Sequence, residues 1–223
     1  MIYILPILGV LISFLFVVVA KPQKNESFKL LLAFSGAFLL ALTIFEMLPE
    51  VYENTNPKTI GVFIMLGILF QIFLEFFSKG AEHGHVHISK QSQDFPWLLF
   101  ISLCTHSLLE GLPIGTNDTI IYGILIHKIP IAIILSIFLL GSNIKPIYAA
   151  FFMLLFSVMT PLGTYLANTT DILSTYGMYL NALVIGVFLH ISTVILFESS
   201  EGHKFNLRKL LVILLGITIA YYL

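Results

Sequence analysis

Charge is what this chain has least of. Only 10% of its 223 residues are Asp, Glu, Lys or Arg, against about 25% in an ordinary soluble domain. With 58% hydrophobic residues, that scarcity excludes a soluble globular enzyme and a disordered chain. Lys plus Arg number 11 and Asp plus Glu 12, so there is no net basic field for nucleic acid. One cysteine, Cys104, excludes an internal disulfide and any cysteine-based zinc finger. What the chain has in abundance is long apolar runs, at a mean hydropathy of +0.98. The fold class they imply is an all-α polytopic membrane protein.

A helix needs ~20 mostly apolar residues to cross a bilayer. Such runs lie at 2–20, 28–49, 58–78, 96–116, 120–140, 146–168, 175–198 and 207–223. About eight transmembrane helices leave only short connections, so residues 1–223 read as a single transmembrane domain. Its one substantial loop is 79–95. The first run lacks a charged stretch before it and is long, which points to a retained helix rather than a cleaved signal. Lys21, Lys24, Lys29, Lys79, Lys90, Lys145, Lys204, Arg208 and Lys209 all fall on one side of such a topology. Lys58 falls on the other, and Lys128 lies inside a span. Positive-inside bias then puts the basic side in the cytoplasm and both termini outside.

Ionisable groups inside spans are costly and usually functional, which makes the short list of them informative. The fourth span reads FPWLLFISLCTHSLLEGLPIGT. Its His106 and Glu110 are four apart and share one helical face. Pro113 lies near the next turn, and a proline that lacks an N–H is expected to kink the helix there. In the fifth span His127 and Lys128 are adjacent and Pro130 follows. Two imidazoles and a carboxylate suit zinc and related ions and leave a coordination position open. Two blander readings compete. A histidine in a span can simply hydrogen-bond a neighbouring helix, and Glu110 with Lys128 can form a buried ion pair. The ion pair is compatible with metal binding.

HSLLEGLPIG at 106–115, followed by HKIP at 127–130, resembles the ZIP (Zrt-/Irt-like) family of divalent metal transporters. SGAFLLALTIFEMLPE at 35–50 is similar to the family's second span and GVFLHISTVILFE at 186–198 to its seventh. The His-containing loop follows the third span, as in the family. The resemblance implies eight spans in a 3+2+3 arrangement with both termini outside. It implies a metal site between spans four and five, with His106, Glu110 and His127 as ligands. It also implies that spans one, four, five and six move against the other four. The family often has a glutamate directly after the span-five proline, where this chain has Ile131. Members with two metals carry a polar or acidic residue after each histidine, where this chain has Ser107 and Lys128. A lysine ammonium only donates, and its charge repels a second divalent ion. A single metal site is therefore expected, with Lys128 blocking a second.

Ser107, water, Glu46 or His190 is expected to complete the ligand shell that Ile131 leaves short. Glu50, Glu53 and Asp118 fall on the outer side, where they attract cations to an entrance. Glu75, Glu198 and Glu201 fall on the inner side and line an exit. Gln71 and Asn181 read as hydrogen-bonding glue between helices, and Cys104 as a small packing residue. His83, His85 and His87 in the 79–95 loop form a cytoplasmic tract that holds zinc loosely and is not essential to transport.

The function so implied is transport of a divalent cation into the cytoplasm. Zn2+ is the first substrate and Fe2+, Mn2+ and Cd2+ are alternatives; no organic cofactor is expected. The expected partners are the metal ion, the lipid bilayer and, on family precedent, a second copy in a homodimer; nucleic acid is not among them. Compact loops and the frequent Ile, Phe and Lys suggest a bacterial plasma membrane. The rival reading is an intramembrane zinc-dependent lipid hydrolase with a zinc-bound water as nucleophile. The chain lacks HExxH, and Glu110 would have to be ligand and base at once. A receptor that binds metal without moving it is a third reading, separated from the first by flux.

Overall fold

A computed structural model of the chain describes residues 1–22, 26–53, 55–78, 95–115, 120–198 and 207–223. Among these there is no strand. The helices are α1 (Ile4–Ala20), α2 (Glu26–Leu42), α3 (Leu48–Tyr52), α4 (Pro57–Ser78), α5 (Trp97–Glu110), α6 (Ile120–Gly141), α7 (Pro146–Thr169), α8 (Asp171–Glu198) and α9 (Leu207–Tyr221). A π turn at Thr43–Met47 joins α2 to α3, so the two form one rod. A 3-10 turn at Leu112–Gly115 follows α5. The protein is an all-α polytopic integral membrane protein.

Six segments are long and apolar enough to cross a bilayer: Ser27–Tyr52, Pro57–Ser78, Trp97–Ile114, Ile120–Gly141, Pro146–Thr169 and Thr175–Phe197. Each coincides with one of the runs read from the sequence. Helix α1 has 17 residues and α9 has 15, so both are shorter. At ~1.5 Å per residue they reach roughly 26 and 23 Å, against a hydrocarbon core of ~30 Å. The starts of several helices are set locally. Asn56 Oδ1 accepts the N–H groups of Lys58 at 3.0 Å and Thr59 at 3.4 Å, and Pro57 stands first in α4. Prolines at that position lose no hydrogen bond.

Two groups of helices pack within themselves. Val10 of α1, Leu103 of α5, Leu135 of α6 and Phe152 and Phe156 of α7 share one apolar cluster. Helix α4 lies along α8 and α2 along α9. At the α4–α8 crossing a Cβ on Gly67 would strike Leu183 O and one on Gly186 would strike Ile64 O, so only glycine permits the approach. The larger cluster bridges the groups, with Leu39 of α2, Ile64 of α4, Ile124 and Ile131 of α6 and Phe188 of α8. Outward-facing Leu69, Phe73, Phe76, Phe151 and Leu214 are exposed. Such a surface is a liability in water and ordinary against lipid.

Proline acts differently in the two site-bearing helices. Pro130 stays inside α6, where its missing N–H leaves Ile126 O without a helical donor. Pro113 does not kink α5 as expected. The helix ends at Glu110 and the chain tightens into the 3-10 turn instead. Gly111 N–H turns to Leu108 O at 3.2 Å, as a helix end often does. Ser107 O, the α-helical acceptor at that position, is then satisfied from outside the helix.

Candidate metal centre

Helices α5, α6 and α7 meet around Glu110. His106 and Glu110 come from one face of α5, and their Nε2 and Oε1 atoms are 2.8 Å apart. His127 of α6 brings its Nε2 to 3.8 Å from the same Oε1. The rings of His106 and His127 stand nearly edge to face, with centroids 6.4 Å apart. One ligand atom from each of the three residues lies within 4.8 Å of the others, and all three residues are buried. Among the described residues these three make the one cluster of this kind.

The other carboxylate oxygen is committed elsewhere. Lys128 Nζ donates to Glu110 Oε2 at 2.7 Å and to Ser107 Oγ at 2.7 Å. It also sits 4.6 Å from the centroid of the Phe156 ring, within cation–π range. A buried ion pair is tolerated only when its remaining hydrogen-bonding capacity is met. Here the ammonium has an acceptor or a π face in three directions. Glu110 is thus divided: Oε2 faces a fixed cation, and Oε1 faces two imidazoles.

Helix α7 holds this arrangement in place. A Cβ on Gly111 would strike Thr160 O, and one on Gly163 would strike Leu108 O. The two glycines let α5 and α7 touch backbone to backbone. Thr160 Oγ1 then donates to Ser107 O at 3.0 Å and lies 3.0 Å from Ser107 Oγ. Thr164 Oγ1 donates to Gly111 O at 2.8 Å. The carbonyls released where α5 ends are therefore capped by hydroxyls from the neighbouring helix, as a dry interior requires.

Both imidazoles are also gripped from the second helix group. His106 Nδ1 lies 3.3 Å from Gln71 Oε1 on α4, and His127 Nδ1 lies 3.4 Å from Ser35 Oγ on α2. A partner on Nδ1 fixes the ring's orientation and leaves Nε2 facing the cluster. Ser102 Oγ donates across the same boundary to Leu74 O at 2.6 Å.

The sequence reading placed Gln71 as helix glue and did not connect it to His106. It did not single out Ser35, Phe156, Thr160 or Thr164. Gln71, fully buried in a spanning helix, carried the one usable signal. Serine and threonine are too common in spans to stand out. Ser107 is engaged by Lys128 and Thr160 rather than placed among the three ligand atoms. Glu46 lies in the π turn, and His190 pairs with Glu75 of α4 at 2.7 Å; neither joins the cluster. Ile131 is buried in the bridging apolar cluster. Glu50 and Glu53 lie at the far end of the α2–α3 rod. Asn181 and Cys104 are buried. His83, His85 and His87, with Asp118 and Glu201, lie outside the described residues.

Residues 78–223 match the family profile described as ZIP zinc transporter. The chain is 31% identical over 151 residues to zinc transporter ZIP1 of Danio rerio and, at the same identity and length, to ZIP1 of Takifugu rubripes. Each match covers 62% of this chain and 50% of the relative. Protein zntD of Dictyostelium discoideum is 30% identical over 164 residues, 63% of this chain and 24% of that protein. The chain thus spans about half the length of the ZIP1 proteins. These relatives are eukaryotic and give no support to a bacterial plasma membrane; loop length and residue usage do not distinguish one bilayer from another. With most of its length under that profile, the chain belongs to the ZIP zinc transporter family.

Proposed function

We propose that this chain carries a divalent metal ion, Zn2+ before Fe2+, Mn2+ or Cd2+, across the membrane into the cytoplasm through a single site formed by His106, Glu110 and His127. The observation that carries the reading is the split of Glu110 between one fixed ammonium and two imidazoles. Zinc bonds of ~2.1 Å at tetrahedral angles put neighbouring ligand atoms about 3.4 Å apart. The separation of 2.8 Å from His106 to Glu110 must open by roughly half an ångström, and that of 3.8 Å from His127 must close by about as much. Both shifts are well below an ångström. The fourth position falls to water.

Lys128 makes the site suited to passage rather than storage. It cancels the charge of Glu110 before the ion arrives, so the ion enters a pocket with no net negative charge from that pair. Conduction needs binding that is favourable but weak enough to leave. The same ammonium stands where a second cation would bridge Oε2, which limits the site to one ion. The hydrolase reading fares worse, because Lys128 and the ligand set occupy both oxygens of Glu110 and leave no base. The packing of α1, α5, α6 and α7 into one cluster supports movement of that group against α2, α4, α8 and α9. The inward direction and the external termini rest on the family resemblance and on the distribution of lysines.

The test is zinc influx into liposomes containing the purified chain, read by a trapped zinc-sensitive dye. Wild type is compared with His106→Ala and Glu110→Gln. Influx that both substitutions abolish is expected. Wild-type protein that binds zinc but admits none would instead favour a receptor.

A further inference from the structure

Hydrogen bonds cross the boundary between the two helix groups at the ligand imidazoles themselves. Gln71 Oε1 of α4 lies 3.3 Å from Nδ1 of His106, and Ser35 Oγ of α2 lies 3.4 Å from Nδ1 of His127. A further bond across the boundary, from Ser102 Oγ of α5 to Leu74 O of α4 at 2.6 Å, touches no ligand. Gln71, Ser35 and both histidines are buried, so water does not compete for the two imidazole contacts.

Elsewhere the boundary is apolar. Leu39 of α2 and Phe188 of α8 share a cluster with Ile124 and Ile131 of α6. The backbone-to-backbone crossings lie inside the groups: Gly67 with Gly186, Gly111 with Gly163, and Gly216 of α9 against Phe34 O of α2. Gly123 of α6, at the boundary, faces the side chain of Leu42 instead. Apolar contacts are non-directional and tolerate sliding. A hydrogen bond to a ring nitrogen does not, because it weakens steeply with distance and angle.

We infer that Gln71 and Ser35 are positioning residues that make the metal site tight only while the two groups stand as they do here, so that movement of one group against the other itself lowers the affinity and releases the ion. The inference rests on the transport reading above. Coordination through Nε2 leaves Nδ1–H as the donor of each ring, aimed at Gln71 Oε1 and Ser35 Oγ. The bound ion draws electron density from the ring and strengthens that donor. At 3.3 and 3.4 Å both contacts have room to shorten as the ion loads. Losing such a partner weakens metal binding about 10–100-fold. The coupling is reciprocal: the factor by which the partners tighten the ion is the factor by which the ion holds the groups in this position. When α5 and α6 shift past α4 and α2, both rings lose their partners together, and the loosened ligands let the ion go.

Spin labels on Tyr52→Cys of α3 and Tyr122→Cys of α6, both exposed positions, report one group against the other through pulsed electron paramagnetic resonance distances. The parent is the full chain with Cys104→Ala, so that the labels hold its only thiols, and with His83→Ala, His85→Ala and His87→Ala to silence the loop. Zinc is expected to raise the population of this position relative to all others by about tenfold or more. Gln71→Leu and Ser35→Ala are each expected to weaken calorimetric zinc affinity by about 10–100-fold and to shrink the zinc-driven shift by the same factor. Ser35→Thr keeps the hydroxyl and should restore both. Ser102→Ala should lower the population of this position with and without zinc, yet leave the size of the zinc-driven shift unchanged. A purely structural role for Gln71 and Ser35 predicts the Ser102→Ala pattern for all three. Zinc that binds without changing the distances, in the parent and in the less tightly held Ser102→Ala background, overturns the coupling and leaves the metal site standing. So does a full-sized shift in Gln71→Leu and Ser35→Ala. A parent that binds no zinc overturns both, and the liposome influx above tests transport separately.

Discussion

Replacing Lys128 with methionine separates the two halves of Glu110. Methionine keeps the length of the side chain and packs against Phe156, but removes the cation beside Oε2. In metal-free protein the carboxylate is then buried without its counter-charge, which costs about 3–5 kcal/mol. With metal the balance reverses. Lys128 Nζ is 2.7 Å from Oε2, and a ~2.1 Å bond on the other oxygen puts the ion about 5.5 Å from the ammonium. At an effective dielectric constant of ~20 the repulsion between them is about 6 kcal/mol. Its removal should tighten zinc binding by a factor on the order of 10,000. Thermal unfolding of Lys128→Met should therefore show a Tm well below wild type in chelator and a much larger rise with zinc, by mass action. Calorimetry gives the change in Kd directly, and liposome influx should fall because the ion leaves slowly. A Kd within threefold of wild type would refute the view that Lys128 sets the affinity of this site.

Three further substitutions probe the supports. Gln71→Leu removes the partner of His106 Nδ1 and should weaken zinc binding by about 10–100-fold; Gln71→Glu, which keeps the acceptor, should restore most of it in the same titration. Thr160→Val keeps the shape of the side chain but removes the hydroxyl that donates to Ser107 O and meets Ser107 Oγ, which keeps Lys128 as its donor, at a cost of about 1–3 kcal/mol. A double-mutant cycle with Ser107→Ala should show coupling, and additive effects on denaturant unfolding would argue against it. Gly163→Val forces a side chain onto Leu108 O and should prevent α5 and α7 from closing, which is read as loss of the monodisperse folded species on size exclusion.

Much of the site was legible in the letters because its chemistry is local. His106 and Glu110 share a face by their spacing of four, and the cost of ionisable groups in hydrocarbon singled out His127 and Lys128 beside them. The ion pair of Glu110 with Lys128 was one of the readings that composition alone allowed, and the geometry realises it. Pro113 was misjudged, because a proline signals a broken ladder but not whether the helix resumes. Here Gly111 and the hydroxyls of α7 stabilise an end instead. The partners of the imidazoles were not legible. Ser35 and Gln71 lie 92 and 35 residues from the histidines they touch, and no periodicity within one helix encodes which faces of two helices meet.

The apolar runs alone determined that the chain folds as spanning helices, since a backbone in hydrocarbon must satisfy its own hydrogen bonds. Its ionisable residues alone singled out the positions in those helices where the buried cluster of His106, Glu110 and His127 forms. The tertiary structure decided which oxygen of Glu110 faces a lysine and which faces two histidines. It also decided that His190 belongs with Glu75 rather than with His106. Those choices depend on glycine-permitted crossings between helices distant in sequence, where a separation of one methyl group settles which side chains come into reach.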